Sequence, residues 1–150
     1  MKLLAFDVGN TSTAVGCFDG EELQAVIRLQ TNPDRSIDEY SAILLTSLER
    51  RLGRELHFDA AIISSVVPQV VPDIERLIER ELAISPLIVG PGIKTGLAIR
   101  TKDPSAVGAD RIVNAVAAKE IYGYPSVIID FGTATSFDVL SEKGEYLGGI

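Results

Sequence analysis

The chain has 150 residues, 46% of them apolar and 23% charged, with a net charge of −7 and an isoelectric point near 4.7. That length can bury a sizeable core, while the acidic balance opposes binding to nucleic acid or to an anionic membrane surface, and no apolar run is long enough to span a bilayer. One cysteine, Cys17, excludes an internal disulfide, and a single His57 beside it excludes a structural zinc cluster.

The N-terminal apolar run breaks at Asp7, too early for a secretory leader, so a cytoplasmic location is expected. Residues 2–7, 13–18 and 23–30 read as short strands, the last two joined by an Asp19-Gly20-Glu21 turn. Ser36 opens a helix in which Ile37, Tyr40, Ile43, Leu44, Leu48 and Leu52 recur at three- and four-residue spacing, and Gly53 ends it. Asp59 to Val67 reads as a strand buried on both faces. Pro68 and Pro72 bracket the entry to a second helix with Ile74, Leu77, Ile78 and Leu82 on one face, and Pro86 to Val89 is a further strand. The order βββαβαβ predicts an α/β lobe, a mixed sheet with crossover helices, over residues 1–106. Lys94 to Pro104 is loop-like, and a third helix begins around Val107. The topology restarts near Ser126, so residues 107–150 read as a linking helix and the first hairpin of an incomplete, duplicated second lobe.

That duplication is most visible in two phosphate-loop patterns. Leu3-Leu4-Ala5-Phe6-Asp7-Val8-Gly9-Asn10-Thr11-Ser12-Thr13 and Val127-Ile128-Ile129-Asp130-Phe131-Gly132-Thr133-Ala134-Thr135-Ser136 are both apolar runs followed by Asp-x-Gly and small polar residues. Superposing Asp7 on Asp130 brings Gly9 onto Gly132 and Ser12 onto Thr135. Glycine lets backbone N–H groups approach a ligand, and the carboxylate can hold a hydrated cation beside phosphate oxygens. Asp7 would hold magnesium through water while Asn10 and Thr11 contact phosphates. Asp130 would hold a cation, with Thr133 and Thr135 on the phosphates. The alternative for either loop is a tight turn whose Asp caps backbone donors.

Between the loops stands Val107-Gly108-Ala109-Asp110-Arg111-Ile112. Gly108 and Ala109 at a helix start leave orphan N–H donors that favour an anion. Adjacent helical residues point about 100° apart, so Asp110 and Arg111 need not pair and can serve two ends of one small substrate. An aspartate near an attacking hydroxyl is the recurrent base or orienter of phosphoryl transfer, and arginine suits bidentate capture of a carboxylate. An exposed charged first turn, with Asp110 complementing the helix dipole, is the competing reading. The Gly90-Pro91-Gly92 loop with Lys94 either lines the cleft or only connects lobes. Ser64 and Ser65 have His57 as the sole possible histidine base, which disfavours serine-hydrolase chemistry.

In order, Asp7-Val8-Gly9-Asn10-Thr11, Ile63-Ser64-Ser65-Val66-Val67-Pro68, Pro91-Gly92-Ile93-Lys94-Thr95-Gly96-Leu97, Gly108-Ala109-Asp110-Arg111 and Asp130-Phe131-Gly132-Thr133-Ala134-Thr135 resemble type III pantothenate kinase over nearly the whole chain. That family belongs to the superfamily of acetate and sugar kinases, heat-shock ATPases and actin, with a ribonuclease H-like lobe. The resemblance implies ATP-dependent phosphorylation of pantothenate, the first step of coenzyme A biosynthesis, by a cytoplasmic homodimer needing Mg2+ and a monovalent cation, K+ or NH4+. It implies an ATP loop at Asp7, Val8, Gly9, Asn10, Thr11, Ser12, Thr13 and Ala14, with Thr133 also on ATP. It implies pantothenate binding by Gly108, Ala109, Asp110 and Arg111, Asp110 as proton acceptor, and the monovalent cation on Asp130. Several relatives carry a tyrosine where this chain has Thr101, and they continue into a complete second lobe. Residues 1–150 alone are therefore expected to be inactive. Two other readings are a non-catalytic regulator related to the Bvg accessory factors and an actin-like ATPase whose output is a conformational cycle.

Overall fold

In the computed structural model, which describes residues 1–150, the first strands form an antiparallel meander: β1 (Lys2–Val8), β2 (Ser12–Asp19) and β3 (Glu22–Gln30). Gly20 turns the second hairpin at a positive φ of 61°. Helix α1 (Ile37–Leu52) starts at Ser36, whose hydroxyl accepts from the Glu39 N–H while the Glu39 side chain accepts from the Ser36 N–H. Gly53 closes it at φ 94°. Strand β4 (Ala60–Ser65) runs parallel to β1, and after a single turn at Pro68–Val70 helix α2 (Val71–Leu82) leads to the short β5 (Leu87–Ile88). The sheet order is β3-β2-β1-β4-β5. Both helices pack on one face of it, touching each other as well as β3 and β4. Their core includes Leu4, Phe6, Val8, Val15, Ile27, Leu44, Leu48, Ile63, Leu77 and Ile78.

The second unit is built on helix α3 (Ala109–Ile121) and an antiparallel sheet of β6 (Ser126–Phe131), β7 (Thr135–Leu140) and β8 (Tyr146–Gly149). The single hairpin expected from the sequence is thus a three-stranded meander, the same order that opens the first unit. Residues 98–100 add a short parallel pairing to β8: Tyr146 donates to the Ala98 carbonyl and Arg100 to the Tyr146 carbonyl, both at 2.8 Å. Arg100 also grips the Glu145 carboxylate at 2.7 Å. These bonds carry residues 90–106 into the second unit. The chain divides at Val89–Gly90, not after residue 106 as the loop-like composition suggests.

Ala115, Ala118, Leu140 and Tyr146 form the buried centre of this unit, with Leu97, Ile99, Val107 and Ile128 against them. The opposite face of the sheet is apolar too, and Val127, Ile129 and Phe131 stand 63%, 48% and 82% exposed on it.

Candidate active site

In the first unit, Asp7 ends β1 as an exposed side chain between the buried Phe6 and Val8. Its loop is held by the Gly9 N–H donating to the Ser12 carbonyl at 3.0 Å, and by Thr31 N–H donating to the Thr11 carbonyl at 3.0 Å. A Cβ on Gly9 would lie 3.1 Å from the Ser12 carbonyl oxygen, so the turn is tight enough to favour glycine. Asn10, Thr11 and Ser12 are exposed at its tip. The remaining expected loop residues sit otherwise. Val8 is core, Ala14 is half-buried on β2, and Thr13 is buried with its hydroxyl 2.8 Å from that of Thr31. Period-2 alternation turns Thr13 inward, and its hydroxyl ties β2 to the end of β3.

The second loop repeats this arrangement with one residue fewer. Val8 pairs with Thr13 across four residues, whereas Phe131 pairs with Thr135 across three. By strand pairing Thr135 therefore matches Thr13, not Ser12. The Gly132 N–H closes the loop onto the Ala134 carbonyl at 3.1 Å, and Thr133 and Thr135 are exposed. Asp130 is half-buried on the α3 side of the sheet, where Asn114 Nδ2 donates to its Oδ2 at 3.0 Å.

Gly108 precedes α3 in extended conformation, with no side-chain cap. Asp110 and Arg111 diverge there. Asp110 Oδ1 accepts from the Arg111 backbone N–H at 2.8 Å, while Arg111 Nη1 reaches across to Oδ1 of Asp138 at 3.2 Å. Tyr146 Oη donates to that same oxygen at 2.6 Å. Arg111 lines a recess of about 260 Å³ together with Thr101, Asp103, Gly108, Tyr146 and Gly149. The Tyr146 phenol first, then the Asp138 and Asp110 carboxylates, hold the guanidinium above its usual pKa. Burial, and after it the bond to Asp138, pushes the Tyr146 phenol up. Thr101 and Asp138 each keep a buried oxygen with no protein partner, Oγ1 and Oδ2.

Sequence reasoning missed Asp138, Tyr146 and the Asn114 contact. Asp138 did leave a signal: it is an acid at the centre of the apolar run Phe137-Asp138-Val139-Leu140, and an acid there must be explained if it faces inward. Lys94 lies on a separate, mainly apolar recess that runs from Gly90 to Leu97 and includes Ile112. Ser65 bonds locally to Val67, and His57 sits 3.2 Å from Asp59 at the other end of β4, so neither serine has a histidine base.

Two meanders with matching Asp-x-Gly loops define the actin-like ATPase fold. Among solved structures, the ethanolamine utilization protein EutJ from Carboxydothermus hydrogenoformans superposes with a TM-score of 0.58 at 16% identity, covering 100% of this chain and 51% of that one. A ROK hexokinase from Thermus thermophilus gives 0.55 at 19% identity, covering 98% and 49%. Sequence similarity narrows the class. The family model for type III pantothenate kinase matches residues 3–150, and the chain belongs to that family. The type III pantothenate kinase of Moorella thermoacetica is 47% identical over 148 residues, 98% of this chain, and that of Halalkalibacterium halodurans is 46% identical over 149 residues, 99% of it. The chain spans 58% of the length of each of these relatives.

Proposed function

We propose that the full-length protein transfers the γ-phosphate of ATP to the hydroxyl of pantothenate. The observation that carries this is the start of α3, where Asp110 and Arg111 turn to different partners and Arg111 lines a recess. Arg111 binds the substrate carboxylate with the donors not committed to Asp138. Gly108 and Ala109 bring the unpaired N–H groups of the helix start to the same anion. Asp110 accepts the proton as the substrate oxygen bonds to the γ-phosphorus and the bond to the ADP oxygen breaks. The loop of Gly9, Asn10, Thr11 and Ser12 is a phosphate-binding candidate of the first unit, and the loop of Gly132, Thr133 and Thr135 is one of the second, each taken by itself.

Neither Asp7 nor Asp130 belongs to a group of three or more His, Cys, Asp or Glu side chains that could hold a metal ion. The exposed Asp7 carboxylate suits a magnesium ion that arrives on the nucleotide phosphates and keeps its waters. Asp130, with one oxygen on Asn114, has a second oxygen for a monovalent cation, K+ or NH4+. Magnesium held at Asp7 would neutralise charge that develops on the phosphates. The working form is a cytoplasmic homodimer. A coupled ADP-release assay on the full-length protein tests the reading. ADP release should depend on pantothenate, and release independent of it would favour an actin-like ATPase.

A further inference from the structure

We propose that Asp138 is the positioning residue for Arg111, and that a buried Asp138–Tyr146 pair sets how the guanidinium is presented to the substrate carboxylate. The inference rests on the functional reading above and assigns it a second layer. Asp138 is fully buried, and its Oδ1 takes both Arg111 Nη1 at 3.2 Å and Tyr146 Oη at 2.6 Å. Arg111 is the cation paired with it and is itself 28% exposed. One end of the side chain is therefore anchored in the protein while the other meets the recess.

Two features argue against a merely structural pair. Burying a carboxylate is costly, and an apolar residue of similar volume commonly serves stability as well or better. Asp138 nevertheless keeps Oδ2 without a protein partner, a cost that a core built only for stability avoids. The backbone is also shaped around it. Strand β8 passes so close that a Cβ on Gly149 would collide with the Phe137 carbonyl oxygen and with Asp138 Oδ1. Gly149 and Tyr146 both line the recess, so one short strand supplies the clearance, the second hydrogen bond and part of the binding wall. Arginine forks bind carboxylates well only when their plane is fixed, because the gain over a point charge lies in two parallel bonds.

Asp138→Asn keeps the volume and removes the charge. In the full-length enzyme it should raise KM for pantothenate roughly tenfold, the scale of losing one charge-assisted contact, lower kcat much less, and leave KM for ATP unchanged. In an Arg111→Ala background the same substitution should add nothing to KM, because the residue acts through Arg111. An unchanged KM for pantothenate in a folded Asp138→Asn enzyme overturns the inference. So does an equal loss in both backgrounds, which marks a structural role. If Asp138→Asn does not fold, Tyr146→Phe decides by the same comparison, with a smaller rise expected and no rise counting against the inference. A wild-type enzyme that turns over no pantothenate removes the functional reading, and this inference with it. One that turns over normally while the variants behave like wild type removes this inference alone.

Discussion

Asp110 and Arg111 are sequence neighbours that the start of α3 sends to different partners, the Arg111 backbone and Asp138 respectively. Asp110→Asn keeps the shape and removes the basicity, so kcat should fall by roughly 10²- to 10⁴-fold, the usual share of a positioned base; activity within a few-fold of wild type would assign the proton elsewhere. Arg111→Lys keeps charge but loses the fork. KM for pantothenate should rise by the equivalent of about 1–3 kcal/mol with KM for ATP little changed, and a parallel rise in both would indicate damage to the fold. Asp130→Ala should abolish any difference between potassium and sodium buffers, a comparison readily made in the same assay. At this scale the sequence shows the acids and bases of the loops but not what holds them. Phe137, Val139, Val127 and Ile129 are as apolar as Ile128 and Leu140, so alternation alone leaves open which face of the sheet is inward. The face carrying Asp138 is the inward one, and that choice depends on α3, a tertiary contact.

The elements of the first unit are legible because each carries local punctuation. Ser36 and Gly53 fix the ends of α1, and Gly20 fixes the hairpin. The Ser36–Glu39 box also gives α1 a pH dependence. The Ser36 backbone N–H, then its hydroxyl, hold the Glu39 carboxyl below its usual pKa. The ionised form is the stabilising one, so its contribution is full above the unfolded Glu value and is lost as pH falls through the lower, folded value. Glu39→Gln removes the charge and keeps an acceptor, so it should be less stable than wild type at neutral pH, and denaturant melts of the two should converge in acid; a pH-independent gap would show that the Glu39 charge contributes nothing. The second unit is less legible. Strand β8 is Tyr146-Leu147-Gly148-Gly149, too short and glycine-rich to announce itself. Residues 98–100 join it through backbone bonds that leave no side-chain pattern.

For the whole molecule, the repeated meander makes the fold class readable and the boundary unreadable. Nothing in the composition of residues 90–106 reveals that Tyr146 captures them. The exposed face of Val127, Ile129 and Phe131 is larger than scattered surface residues explain and calls for covering structure. The chain spans 58% of the length of the Moorella thermoacetica and Halalkalibacterium halodurans relatives. Residues 1–150 alone should therefore make no product; pantothenate-dependent ADP formation by that purified piece would show that the first unit, α3 and one three-stranded sheet suffice. A kinase acting on pantothenate differs from an ATPase or a regulator in the product it makes. Mass spectrometry of a reaction of full-length protein with ATP, Mg2+, K+ and pantothenate tests that difference most directly. Phosphopantothenate and ADP should form in equal amounts, both depressed at least about a hundredfold in rate by Asp110→Asn. ADP without phosphopantothenate, or neither from a folded protein that binds ATP, would contradict the kinase reading.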